Sequence, residues 1–344
     1  MNGINKVARS TLIRILPTAF VNLFFNIDPQ KIAWIVHPRS FGELEKKLTF
    51  LKKIPVFIKY YILLFLPVFK VSEFRENNIL KGHIIVVPLL PVYFQRNKFI
   101  ANIRTKQAFR LAIKMGAEKI SVGGMLSTVV DGGNLEKKFN VEVFDGTDLL
   151  AISAKEKIIE LINKNNDSIH SIGIIGATTK SGAKLSKYLA KENIEEINLF
   201  AKTLGNVKNL AEECKKIGSV KIFEHINFSS IGKCDLCVLT AFISEDAGKN
   251  IVSNIKQNSI FFSIVEPVSP FVFEIEKLRP DIKLIRGIMI KAPSFSYDDF
   301  DLVVGSGNTF ACLTEAIISN SDNGLYNSTD DLLTLLEKNN LKII

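Results

Sequence analysis

From residue 171 to residue 285, short β-branched runs recur at intervals that each leave room for one helix, and this alternation constrains the fold most strongly. Strands are expected at 171–175, 197–200, 220–223, 236–239, 260–264 and 283–285. A strand–helix repeat of this kind satisfies its backbone as a parallel sheet covered on both faces, a doubly wound α/β arrangement. Upstream, a strand at 32–36 ends in His37-Pro38-Arg39, a second lies at 83–87, and a third at 119–122 runs into Gly123-Gly124. Apolar spacing predicts a helix over 98–115, with Gly116 placed to cap it. The polar stretch Lys164-Asn165-Asn166-Asp167-Ser168 marks the best boundary. Four regions follow: an amphipathic N-terminal extension (1–30), an α/β domain for the substrate (31–165), the doubly wound domain (166–305), and C-terminal helices (306–344) expected to return to the interdomain cleft.

The turn after the first strand of the repeat reads Gly176-Ala177-Thr178-Thr179-Lys180-Ser181-Gly182 and opens a helix. Free N–H groups and a positive dipole end at a helix start suit the pyrophosphate of a dinucleotide. Gly176 serves the turn, Gly182 the close packing of helix on sheet, and Thr179 stands where a glycine is usual. Its side chain would either crowd a phosphate or bond one. The second strand ends Ala201-Lys202-Thr203, offering a cation and a hydroxyl where an NAD site places a carboxylate. These residues favour the 2′-phosphate of NADPH. Thr240-Ala241, at the end of the fourth strand, is expected near the nicotinamide.

Charge is unevenly spread. Residues 1–110 carry 18 Lys/Arg against 5 Asp/Glu, and the remainder 26 against 30. A basic first third points to an anionic partner: a lipid surface, an acidic carrier protein or, last, a nucleic acid, for which no motif is present. Two oily stretches lie in this third. The first, 11–25, is broken by Arg14 and Pro17 and makes a poor signal peptide. The second, 60–69, is too short to cross a bilayer. With Lys46, Lys47, Lys52 and Lys53 it reads either as a surface-seeking amphipathic hairpin or as a buried helix with a basic edge.

Four cysteines without a framework exclude a disulfide scaffold and favour a reducing, cytoplasmic setting. Cys234 and Cys237 have knuckle spacing, but a strand would send them to opposite faces, so they read as core residues. Cys214 reads as helix filler. Cys312 follows the loop Gly305-Ser306-Gly307-Asn308 and falls in the first turns of a helix, where a dipole end lowers a thiol pKa. It is either a nucleophile that forms a thioester or a buried core cysteine. Of the histidines only His37 stands in a plausible site position, and no metal site is expected.

Together these segments resemble the long-chain acyl-[acyl-carrier-protein] reductases over residues 37–318. Phe310-Ala311-Cys312-Leu313-Thr314-Glu315-Ala316 is similar to that family's cysteine helix, the Gly176–Gly182 loop to its NADPH loop, and Ala201-Lys202-Thr203 to its 2′-phosphate site. Val87-Pro88-Leu89-Leu90-Pro91, Gly123-Gly124-Met125-Leu126-Ser127-Thr128 and Asp145-Gly146-Thr147 resemble segments of its substrate domain. Thr179, Ser263 and Glu266 depart from the pattern. The resemblance implies a Rossmann-type NADP domain and NADPH-dependent reduction of a long-chain acyl thioester to an aldehyde through a Cys312 thioester. It implies acyl carrier protein or acyl-CoA as acyl donor and an aldehyde-consuming enzyme as a further candidate partner, while peripheral membrane contact is expected from the basic, oily N-terminal region itself. Two other functions fit the same residues: a shikimate- or glutamyl-type dehydrogenase without a covalent intermediate, and a non-enzymatic membrane-peripheral nucleotide-binding protein.

Overall fold

The computed structural model describes residues 3–15, 30–128, 132–165, 168–265, 269–298, 307–319 and 329–344. Gly305, Ser306, Glu266 and the part of the first oily stretch beyond Ile15 lie outside the described residues. The chain divides into two compact units, Met1–Gly146 with Met289–Ile344, and Thr147–Ile288.

In the first unit β1 (Ile32–Val36), β2 (Phe69–Glu76), β3 (Ile79–Val86), β4 (Lys119–Val122) and β5 (Glu142–Phe144) form most of a mixed sheet. The run Ile-Ala-Trp-Ile-Val of β1 is buried along its whole length, as suits a central strand between parallel neighbours β3 and β4. β2 and β3 form a hairpin whose two loop residues, Asn77 and Asn78, both take positive φ (51° and 64°). Asparagine tolerates that left-handed pair, which matches the twist of a two-residue hairpin loop.

The oily 60–69 run forms neither a hairpin nor a buried helix. It is shared between a helix, Val56–Phe65, and the start of β2 at Phe69. Pro67 forces Leu66 into an extended conformation (φ −63°, ψ 123°), so the helix stops there. The N-terminal helix Gly3–Ile15 is built into the unit rather than appended to it. Its Ser10 Oγ accepts from the Lys70 N–H at 2.9 Å, and Lys6 Nζ donates to the Val71 carbonyl at 2.9 Å. The predicted helix over 98–115 is observed as Lys98–Lys114, with Gly116 at φ 92° behind it.

The second unit holds β6 (Ser171–Ile175), β7 (Glu196–Phe200), β8 (Lys221–His225), β9 (Leu236–Leu239), β10 (Ile260–Ser263) and β11 (Lys283–Arg286). All are parallel, in the order β11-β10-β9-β6-β7-β8. The order reverses between β6 and β9, where doubly wound sheets open a crevice at their carboxyl ends. This is the Rossmann-type sheet that the alternation implied.

The division at 146/147 differs from the sequence boundary at 165/166. The helix Thr147–Lys164 packs along the helix Lys180–Leu189, and Lys184 pairs with Asp148, so it groups with the second unit. The second unit also ends earlier than 305. From Met289 the chain returns to the first unit as β12 (Ile290–Lys291), β13 (Phe295–Tyr297), β14 (Asn308–Thr309) and β15 (Lys342–Ile343). β13 adds an antiparallel edge to β2, and β12, β14 and β15 form a small sheet. The C-terminal segment therefore joins the first unit's own fold, where the cysteine helix, Ala311–Ile318, covers β4, β5 and β1.

Candidate functional site

In the second unit, β6 turns through Gly176 at φ 82°. A Cβ there would lie 2.4 Å from the Ala241 Cβ, so the position admits only glycine. Gly182 is equally confined, since a Cβ would come within 2.5 Å of the Gly176 carbonyl oxygen and 2.6 Å of Thr240 Oγ1. Thr240, at the end of β9, locks the turn by directing its hydroxyl at the Ile175 and Gly176 carbonyls (3.0 and 2.9 Å).

Thr179 is the residue that departs from a glycine loop, and the structure shows where its hydroxyl goes. It accepts from the Gly182 N–H (3.1 Å) as the helix N-cap and donates to the Thr240 carbonyl (3.2 Å). The oxygen is committed to the loop's own backbone, which meets the cost of the missing glycine inside the fold. Thr178, Lys180, Lys202 and Thr203 are exposed at this end of the sheet; Ser181 and Ala201 are half-buried, and Ala177 is buried. Among the described residues nothing pairs with the Lys202 ammonium. A glycine-bounded turn, an exposed helix N-terminus and a cation beyond β7 fit a dinucleotide phosphate chain with a 2′-phosphate.

Cys312 stands in the first unit. β1 and β4 pair in register, Trp34 opposite Ser121, so both side chains leave the same face of the sheet, beneath the cysteine helix. The Trp34 Nε1–H and the Ser121 hydroxyl are buried and have no hydrogen-bond partner among the described residues. Both lie close to the Cys312 sulfur and draw its pKa down. Two glycines let the sulfur sit this close. A Cβ on Gly123 would meet Trp34 Nε1 at 3.2 Å and Cys312 Sγ at 3.6 Å. One on Gly146, which has φ 75°, would lie 2.6 Å from the Cys312 backbone nitrogen. Glu315, one turn along, accepts from the Gly146 N–H at 3.0 Å and closes the arrangement. Tyr297 flanks Trp34, its ring centroid 6.3 Å away, and burial followed by the nearby Cys312 charge pushes its phenol upward.

The expected low thiol pKa is not observed. Cys312 is 8% exposed, and burial pushes its pKa up from 9.0 to about 11. Ser121, Trp34 and the Leu313 N–H pull it back, and Glu315 adds to the rise. A helix end is worth about 1 kcal/mol here. A rise of that size corresponds to about 3 kcal/mol, so burial wins.

His37 is a structural pin. Its Nε2 accepts from the Met125 N–H (2.9 Å), so Nδ1 carries the proton and donates to the Pro38 carbonyl (3.0 Å). Full burial holds its pKa down at about 4. Cys234 precedes β9 rather than lying in it, so it does not face away from Cys237. The two lie within one apolar cluster and are free thiols. Sequence reasoning missed Trp34 and Ser121. The alternation of β1 and β4 was legible, but only their pairing puts both residues under Cys312.

No family model matches the chain, and no curated protein matches it. Among solved structures it is similar to shikimate 5-dehydrogenase from Listeria monocytogenes in complex with shikimate and NAD (11% identity, 75% of this chain, 86% of that one, TM-score 0.38). It is also similar to ornithine transcarbamoylase from Giardia lamblia (11% identity, 82% and 87%, TM-score 0.35). Lactate dehydrogenase from Cryptosporidium parvum matches over 33% of this chain (15% identity, TM-score 0.28), and the match spans only 42% of that enzyme's length. At these values the likenesses assign no family and no activity.

Proposed function

We propose that this chain is an NADPH-dependent oxidoreductase that reduces a long-chain acyl thioester to the aldehyde, with Cys312 as the acyl acceptor. One observation carries the reading: two buried donors without a hydrogen-bond partner, Trp34 Nε1 and Ser121 Oγ, lie in the cluster around the Cys312 sulfur. An unpaired buried donor costs about 1–3 kcal/mol, and a charged sulfur would recover it. The resemblance adds support, because its segments at Gly123, Gly146 and Cys312, distant in sequence, meet at this sulfur.

The Cys312 sulfur attacks the acyl carbonyl, a carbon–sulfur bond forms to Sγ, and the bond to the donor's sulfur breaks. The Cys312 proton leaves on the donor's thiol. Trp34 and Ser121 hold the negative charge that passes through Sγ. Because burial keeps the resting thiol protonated, ionisation accompanies arrival of the acyl group. On the second unit the helix start at Lys180 and Ser181, with Thr178 and the Gly176–Gly182 backbone, would seat the pyrophosphate, Lys202 and Thr203 the 2′-phosphate, and Thr240-Ala241 would border the nicotinamide. Bound NADPH supplies the hydride that sets the product at the aldehyde level.

Mass spectrometry of the protein mixed with an acyl thioester, without NADPH, tests this. The expected result is one acyl adduct on Cys312, absent from Cys312→Ala, which should also lose at least about a thousandfold in thioester-dependent NADPH oxidation. Full turnover by Cys312→Ala would sink the proposal. A panel of acyl carrier protein and coenzyme A thioesters identifies the donor.

A second reading keeps the cofactor and drops the covalent step, as in a shikimate-type dehydrogenase. The pushed-up, buried Cys312 thiol favours it. Oxidation of NADPH with small keto acids, unaffected by Cys312→Ala, would select this reading.

A further inference from the structure

The helix Val56–Phe65 is turned inside out. Its one charged residue, Lys59, is buried 6% exposed, pairing with Glu45 and lying over the Phe41 ring. Its aromatic residues face the other way: Phe57 is 66% exposed, Tyr61 66% and Phe65 79%, one helical stripe at every fourth position, with Val56, Ile58 and Tyr60 beside it. A helix against water places its lysine outside and its phenylalanines inside. The patch continues onto neighbouring helices. Tyr93 donates to the Tyr60 carbonyl (2.6 Å), and Arg104 donates to the Leu64 carbonyl (2.5 Å). These bonds bring alongside the helix Lys98–Lys114, which adds exposed Phe99 and Ile103.

Charge selects the occupant. Lys52, Lys53, Arg96 and Lys98 are exposed around the patch without ion-pair partners among the described residues. The described acids of the first 110 residues are each neutralised internally: Glu43 by Arg39, Glu45 by Lys59, Glu73 by Lys70 and Arg75, and Glu76 by Lys81. The uncompensated charge around the patch is therefore positive. At ten residues the helix is roughly 15 Å long, half of what spans hydrocarbon.

We propose that the outward face of Val56–Phe65, with Phe99 and Ile103, docks in the plane of an anionic phospholipid surface, aromatic residues at the acyl boundary and the flanking lysines and arginines among the headgroups. The inference stands independently of the catalytic reading.

Cosedimentation of the full chain with vesicles tests it. Vesicles of phosphatidylcholine with about one third phosphatidylglycerol should bind at least about tenfold more tightly than phosphatidylcholine alone, and salt should weaken the binding. The triple variant Phe57→Ser/Tyr61→Ser/Phe65→Ser should bind anionic vesicles at least about tenfold more weakly, with an unchanged circular dichroism melt because none of the three is in the core. Lys52→Glu/Lys53→Glu should weaken the anionic preference several-fold. Wild-type binding by the triple variant overturns the proposal. So does protein that ignores the vesicles while light scattering shows a dimer dissolved by the triple variant, or while an acidic carrier protein protects the stripe.

Discussion

The nucleotide loop and the cysteine cluster are assembled in opposite ways. The loop is nearly all local: Gly176, Thr179 and Gly182 lie within seven residues, and a single partner segment, Thr240-Ala241, locks them. The cluster draws Trp34, Ser121, Gly123, Gly146 and Cys312 from four separate stretches, and no two of those stretches need each other until the sheet forms. A local site can be damaged without unfolding its unit. A site assembled by sheet pairing cannot be moved without moving the sheet.

Two glycine substitutions give the largest separable effects. Gly146→Ala drives a Cβ to 2.6 Å from the Cys312 nitrogen at a positive φ, and should cost roughly 2–4 kcal/mol of stability and abolish acylation of Cys312. Gly176→Ala faces a comparable clash with Ala241 in the second unit and should abolish NADPH binding while leaving Cys312 open to acylation. Acylation mass spectrometry and NADPH fluorescence titration on both variants check this. Equal damage to both readouts by either variant would remove the contrast.

Acid should act on the first unit next. The His37 imidazole is held neutral, with its pKa at about 4 against 6.5 unfolded, so its contribution is complete above 6.5 and is lost as pH falls through about 4. Up to about 3 kcal/mol disappears across that window. Amide exchange at 32–37 and 121–126 should quicken on acidification before exchange at 171–182. The reverse order would show that His37 does not set the first unit's acid stability.

The smallest effect sharpens the local side. Lys202→Glu replaces the exposed cation beyond β7 with a carboxylate, and should weaken NADPH about tenfold relative to NADH, leaving stability unchanged. An unchanged cofactor ratio from competitive titration would free Lys202 of that role.

Legibility followed the same division. β1, β4, β6 and β9 are observed with the bounds the sequence implied, because each is a short, largely apolar run closed by a glycine, a turn or a polar residue. Helix Val56–Phe65 was misjudged because an oily run shows how apolar a segment is, not which side of it meets water. Cys312 reads either as a dipole-activated thiol or as a buried core cysteine for a related reason. The helix dipole is visible in a sequence, whereas the burial that outweighs it depends on what lies above the helix.

Alternating runs and two glycines at fixed spacing were enough to determine a parallel doubly wound sheet and its phosphate-facing loop, since both depend on backbone geometry repeated over a few residues. Only the folded molecule decided that Trp34 and Ser121 stand side by side next to Cys312, that residues beyond Met289 rejoin the first unit, and that a lysine faces inward where phenylalanines face out. Those outcomes depend on strand pairing and packing between segments far apart in the chain, and no local propensity encodes them.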